Sequence, residues 1–312
     1  MSAIAEQWSR GALMFLSRQT GLKDWATRLP PLKKLSRRFV AGETLDEAMD
    51  AVKALTARGL SASFDHLNEA VKDAAETRDE VREYRRLLAR IDQTGVRANV
   101  SLKLTQCGLL LDEALALENA RQVVADATSR GSFVRIDMEH GAVTQVTLDI
   151  VRKLHAEFGE PHVGAVLQSC LRRTEADARA LCAERVRIRL CKGAYLESED
   201  IAYPDKADVD ASFVRCMKVL LDSGVYHGIA THDERMIDAT LEHAARRGLP
   251  RGAFEFQMLH GIRADLQRQL ADQGHPVRVY VPYGRHWYPY LMRRMAERPA
   301  NLAFVLKNLA RG

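Results

Sequence analysis

Near the C-terminus of the 312-residue chain, the stretch WYPYLMRRMAE (287–297) puts Tyr290, Arg293, Arg294 and Glu297 at positions i, i+3, i+4 and i+7. On a helix these four side chains share one face. Two adjacent guanidiniums on such a face read either as a solvated charged surface or as a clamp, in which paired planar forks hold a carboxylate in one orientation. Other groups that a packed core would not choose cluster near the ends of short β-rich runs: Asp65, Lys103, Asp137 and Glu139, Gln168, Arg189 and Lys192, Thr231 and His232, Gln257 and His260, and Tyr280. Lys103 and Asp137 would face each other from neighbouring strands, either as a structural ion pair or as a pair poised beside a substrate. The acidic neighbour favours the ammonium form of Lys103 and weighs against a Schiff-base lysine of the aldolase type, the alternative chemistry for this set. Arg189, Lys192, Arg293 and Arg294, with Gln168, Thr231, Tyr195 and the backbone of KGAY (192–195), suit a large anionic ligand bearing phosphates and a polar ring, plus a second, smaller anion. His232, Asp233 and His260 lack metal-ligand spacing, so no metal is expected.

The elements that must position these groups follow a regular beat. Runs rich in β-formers occur at 61–67, 98–105, 133–139, 163–169, 186–192, 227–233, 253–259 and 277–284. Between them lie stretches with apolar residues at helical spacing, charged opposite faces and a closing Gly. Eight β-then-α units predict a (β/α)8 TIM-like barrel of class α/β. An open doubly wound sheet is second, since the Gly-rich first βα turn of a dinucleotide-binding sheet is missing. In a barrel the strand ends converge on one mouth, where polar residues are not explained as barrel filling.

Composition narrows the function classes. The chain is 46% hydrophobic, enough for a large core, and its net charge of +5 is spread among nearly as many acids, which excludes a dedicated nucleic-acid stripe. Residues 1 to 40 are the exception, with eight Lys or Arg against two acids and with Trp8, Phe15, Leu16 and Trp25 interleaved. This reads as a basic amphipathic helical arm (1–58) that packs on the barrel (59–312), on a second subunit in a homo-oligomer, or on an anionic membrane. No stretch has the ~20 apolar residues of a membrane span, and no signal peptide is visible. The expected location is therefore cytoplasmic or peripheral at the inner face of the membrane. Five cysteines form no CxxC pair and read mainly as small core residues.

Seven stretches, SLKLTQCGL (101–109), VRIDMEHG (134–141), VLQSCLRRTEAD (166–177), VRIRLCKGAYLES (186–198), GIATHDERMI (228–237), FEFQMLHGIR (254–263) and the segment 277–309, resemble proline dehydrogenases of the short, single-function bacterial type. The resemblance implies a distorted (β/α)8 barrel that binds FAD and oxidises L-proline to Δ1-pyrroline-5-carboxylate, by hydride transfer from C5 to flavin N5, with a membrane quinone as electron acceptor. It implies that Arg293 and Arg294 bind the proline carboxylate, that Lys103, Tyr280, Tyr290 and Leu259 complete the substrate pocket, and that Asp137 partners Lys103. On the cofactor side it implies Arg189 near flavin N5, Gln168 and the backbone of Met138 on the ring, and Lys192, Gly193, Ala194 and Tyr195 along the ribityl and pyrophosphate. Thr231 and His232 would lie toward the adenosine, and Glu297 at another cofactor-side position. A non-catalytic proline sensor would keep the pocket and lose the hydride transfer.

Two departures stand out. The first strand of the family runs Asp-x-Leu-Gly-Glu, whereas DHLNE here puts Asn68 where Gly is expected, a residue that tolerates a left-handed turn. Asp65 and Glu69 remain and are assigned to the substrate gate, with Glu69 pairing an arginine of the last helix. In the flavin loop Cys191 replaces a more usual Val, a tolerated apolar-like change.

Overall fold

The structure is a computed structural model that describes residues 30–68 and 71–297. Two helices, α1 (Pro30–Ser36) and α2 (Leu45–Ala57), precede the repeat β1 (Ser61–His66), α3 (Ala74–Thr94), β2 (Ala98–Leu102), α4 (Glu113–Ser129), β3 (Val134–Ile136), α5 (Thr144–Phe158), β4 (Val163–Gln168), α6 (Thr174–Ala183), β5 (Arg187–Cys191), α7 (Lys206–Asp222), β6 (His227–Ala230), α8 (Glu234–Arg246), β7 (Phe254–Leu259), α9 (Ala264–Asp272), β8 (Val277–Tyr283) and α10 (Trp287–Glu297). The eight strands are parallel and close in sequence order, β8 pairing back to β1. The (β/α)8 expectation and all eight strand positions agree with this architecture.

Local chemistry explains the boundaries. Thr44 and Glu47 form a reciprocal capping box that starts α2. Asp73 accepts from the first turn of α3, and Gly95, at φ 64°, ends it in the left-handed conformation. Strand alternation then divides the barrel into two faces. Phe64, Val100, Leu102, Ile136, Ile188, Leu190, Ile229, Phe256 and Val279 are completely buried beneath the helices in one continuous apolar cluster. Burying side chains of this size stabilises by roughly 1.5–3 kcal/mol each. Helix α2, within the arm proposed for residues 1–58, inserts Leu45, Met49 and Val52 into the same cluster.

The interior departs from expectation. A barrel of this kind is usually filled by branched aliphatics, but here Ser63, Ser101, Arg135 and Glu255 are buried within it, with Arg278 half-buried beside them. Polar strand residues are therefore barrel filling as well as mouth. Glycines make the space: a Cβ on Gly228 would meet the Gln257 side chain, and one on Gly164 would lie 2.8 Å from Arg135 Nη1.

Candidate active site

The inward groups at the C-terminal ends of β1, β2, β3, β5, β7 and β8 form one hydrogen-bonded floor. Arg189, only 6% exposed, is its centre. Its Nη1 donates to Asp137 Oδ1 at 2.7 Å, its Nε to Gln257 Oε1, and its Nη2 to Ser101 Oγ at 2.9 Å and Ser63 Oγ at 3.4 Å. A guanidinium has five N–H donors, so among the described residues one N–H on Nη1 is left for a ligand. The Tyr280 ring lies beneath the guanidinium, 5.1 Å from centroid to Cζ. The Tyr280 hydroxyl donates to Asp137 Oδ2 at 2.8 Å.

Lys103 is held differently from the expectation. Its close partner is Asp65, buried at 1% exposure, and Asp137 stands 3.9 Å away. The ammonium thus lies between two carboxylates, while Asp137 is chiefly the partner of Arg189 and Tyr280. Burial pulls the Lys103 pKa down, but Asp65 and then Asp137 overcome it and the net shift is upward. A lysine held protonated in this way cannot serve as a Schiff-base nucleophile at neutral pH, which disfavours the aldolase alternative. The placement also corrects the gate assignment of Asp65: it is a floor residue, too buried to act at a rim.

Above the floor, α10 packs with α1 and the turn that follows it through Leu32, Phe39, Trp287, Leu291 and Met295. Tyr290 and Arg294 are buried, with the Arg294 guanidinium 5.1 Å from the Tyr290 ring centroid. The reading of this face as a solvated charged surface therefore fails. Arg293 is half-buried and has no ion-pair partner among the described residues. Its charge, like that of Lys103, acts on the Tyr195 phenol, whose pKa burial and Glu139 push up against those two cations.

On the β4–β6 side, Gln168 is buried and its Nε2 donates to the Glu139 carbonyl at 2.8 Å. The backbone at Gly193 has φ 103°, and a Cβ there would collide with Cys170 Sγ, so KGAY turns where only glycine fits. Lys192 pairs with Asp210 and, at 2.8 Å, with Asp233, in a cluster that Lys206 and Arg235 join. Three cations to two acids leave a positive surplus suited to phosphates. Thr231 Oγ1 accepts from Asp233 N, and His232 Nε2 from Leu259 N at 2.9 Å, so both brace the loops after β6. Met138 is buried and Ala194 half-buried within the same strand-end loops.

The sequence model of the family described as proline dehydrogenase matches residues 48–307. The chain belongs to the proline dehydrogenase family. It is 45% identical over 281 residues to "Proline dehydrogenase" of Deinococcus radiodurans, covering 89% of this chain and 91% of that protein. It is 41% identical over 304 residues to "Proline dehydrogenase 1" of Bacillus subtilis, covering 96% and 98%. Among solved structures it resembles proline utilization A (PutA) from Bdellovibrio bacteriovorus inactivated by N-propargylglycine, with TM-score 0.80 and 26% identity over 85% of this chain; it spans 33% of that longer chain.

As a proline dehydrogenase family member the chain still departs at Asn68, and not as the sequence suggests. Among the described non-glycine residues only Arg185 and Arg263 have positive φ, so Asn68 makes no left-handed turn. Its amide instead donates to Glu80, which also bonds His66 Nδ1 at 2.9 Å, and the two tether the loop after β1 to α3. Glu69, the Glu297 side chain and residues 1–29 lie outside the described residues. Ser63 and Ser101 are floor residues absent from the sequence-based site, and Gln257, there only a strand-end polar group, is assigned no role in it. Period-two alternation could have found them, because each lies two residues before an assigned position: Asp65, Lys103 and Leu259.

Proposed function

We propose that the chain oxidises L-proline to Δ1-pyrroline-5-carboxylate, the first step of proline breakdown, as an FAD enzyme that hands its electrons to a membrane quinone. The observation that carries this reading is the charged floor built on Arg189, roofed by the Tyr290–Arg293–Arg294 helix in a chain of this family. The residues present fit the cofactor. Arg189 keeps one N–H unengaged, the Gly193 turn admits close backbone approach, and the Lys192 cluster has surplus charge for a pyrophosphate. Met138, Gln168, Ala194, Tyr195, Thr231, His232 and Glu297 would complete the contacts. When bound, FAD supplies the acceptor for the hydride leaving C5 of proline.

The chain's own residues do the rest. Arg293 and Arg294 fix the proline carboxylate, which restricts rotation and presents one ring face. Lys103 adds a permanent positive charge beside that carboxylate, held in place by Asp65 and Asp137. Tyr280, anchored through Asp137, and Leu259 wall the ring, and Tyr290 closes it from α10. The proline amine must be unprotonated, since its lone pair assists hydride departure. Arg189 places fixed positive charge where negative charge accumulates during reduction. For the quinone step, we propose that the basic residues of the N-terminal segment contact anionic lipid. No described helix is long and apolar enough to cross a membrane. The test is proline-dependent reduction of a quinone in lipid vesicles, with the imine product trapped by o-aminobenzaldehyde. Both signals are expected together; imine without quinone reduction would refute the acceptor assignment.

A further inference from the structure

The N-terminal end of the barrel, opposite the mouth, holds buried positive charge that the proline site does not use. Arg135, inward on β3 and 3% exposed, folds its guanidinium onto the ring of Phe133, 4.6 Å from the centroid. Phe133 lies two residues earlier, so the side chain points away from the mouth. Arg187, at the start of β5, brings its guanidinium to 5.7 Å from the same ring and 5.7 Å from that of Tyr226. Two guanidiniums thus lie against one aromatic ring.

Their hydrogen bonding is incomplete. Arg135 Nη1 donates to the carbonyls of Arg187 at 2.6 Å and Ala165 at 3.1 Å, but its Nε is buried without an acceptor. The Nε of Arg187 is likewise buried without a hydrogen-bond acceptor, and its nearest carboxylate, Glu160 at 3.7 Å, is shared with Arg185. The buried acid of this region, Glu255, is committed to Arg278 at 2.7 Å, to Gln257 at 2.6 Å and to the Tyr226 hydroxyl at 3.1 Å. Among the described residues Arg135 has no carboxylate partner. Burial, then Arg189, Arg278 and Arg187, drive its pKa down against the single opposing charge of Glu255. Buried donors are normally satisfied and buried cations normally paired.

We propose that Arg135 and Arg187 form a binding site for a small oxyanion, a phosphate or a carboxylate, at the N-terminal end of the barrel. The Nε–H of Arg135 and that of Arg187, which meets only Glu160 at 3.7 Å, supply directional hydrogen bonds, the planar forks favour an oxyanion over a halide, and the ligand supplies the missing negative charge. Gly164 keeps the seat open for Arg135, since a Cβ there would crowd its Nη1.

The test titrates inorganic phosphate into the purified full-length holoenzyme at constant ionic strength and follows Tm, with sulfate, acetate and chloride in parallel. A saturable rise of about 3 °C or more is expected for the preferred oxyanion and none for chloride. Phosphate and sulfate acting without acetate would assign a tetrahedral ligand; acetate acting alone would assign a carboxylate. Arg187→Gln and Arg135→Met should abolish the rise, whereas Arg293→Ala at the mouth should retain it. A rise that survives Arg187→Gln, or no saturable rise with any oxyanion, overturns the proposal. Because Arg135→Met removes a buried group and risks misfolding, crystals of the unaltered protein grown with phosphate or acetate give an independent reading: density bridging Arg135 and Arg187 supports the site, and its absence at saturating anion overturns it.

Discussion

Asp137 Oδ1 lies 2.7 Å from Arg189 Nη1, while Oδ2 of the same carboxylate accepts the Tyr280 hydroxyl at 2.8 Å. One carboxylate just past the end of β3 therefore locks the Arg189 guanidinium and the Tyr280 phenol together. Asp137→Asn keeps the shape and removes the charge. It should lower kcat/KM for proline by about 100-fold and stability by about 3 kcal/mol, the cost of leaving a buried guanidinium short of its counter-ion. Steady-state kinetics and denaturant melts check both.

Gln257 acts one step further back. Its Nε2 donates to Glu255 Oε1 at 2.6 Å, which fixes the amide so that Oε1 faces Arg189. Gln257→Met leaves both neighbours short of a partner. Stability should fall by about 1–3 kcal/mol, and the rate of reduction by proline should drop about tenfold with little change in KM. Stopped-flow reduction across proline concentrations separates the two.

The paired arginines of α10 should not be equivalent. Arg293 is half-buried without an ion-pair partner among the described residues, whereas Arg294 is buried over the Tyr290 ring. Arg293→Ala should raise the proline KM by about 100-fold and leave Tm nearly unchanged, a loss of roughly 3 kcal/mol of charge-assisted binding. Arg294→Ala should raise KM similarly and also lower Tm, because it removes packing. Equal Tm values for the two variants would contradict the assignment.

Much of this architecture is legible in the amino-acid sequence. The eight strands stand out as β-branched runs between amphipathic helices, and the polar residues at their ends lead to Asp137, Arg189 and Tyr280. What stays hidden is pairing. Spacing puts Lys103 beside Asp137, but choosing between Asp137 and Asp65 requires the stagger between β1 and β2, in which Asp65 lies level with Ser101. Ser63 and Ser101 look like ordinary strand serines until the barrel closes and brings β1 and β2 opposite Arg189. Asn68 misleads because a residue that can adopt positive φ need not do so when its amide has an acceptor in Glu80.

A histidine behind the barrel wall sets an acid limit. His227 Nδ1 accepts from Ile188 N at 3.0 Å, which leaves the proton on Nε2, 2.9 Å from Ser223 Oγ. Burial, reinforced by the Arg135 charge, lowers its pKa to about 3. An unfolded histidine titrates at ~6.5, so between these values the unfolded chain binds the extra proton. The neutral form's contribution is complete above ~6.5 and is lost as pH falls toward 3, up to about 5 kcal/mol. Melting of the parent and of His227→Asn from pH 8 to pH 4 should show a steeper acid decline in the parent.

The most direct test of the central claim is an anaerobic titration of the purified, FAD-loaded protein with L-proline, watched in the visible spectrum. The account predicts that the oxidised flavin band bleaches in proportion to proline and returns on adding a quinone. A band that persists in saturating proline would contradict it.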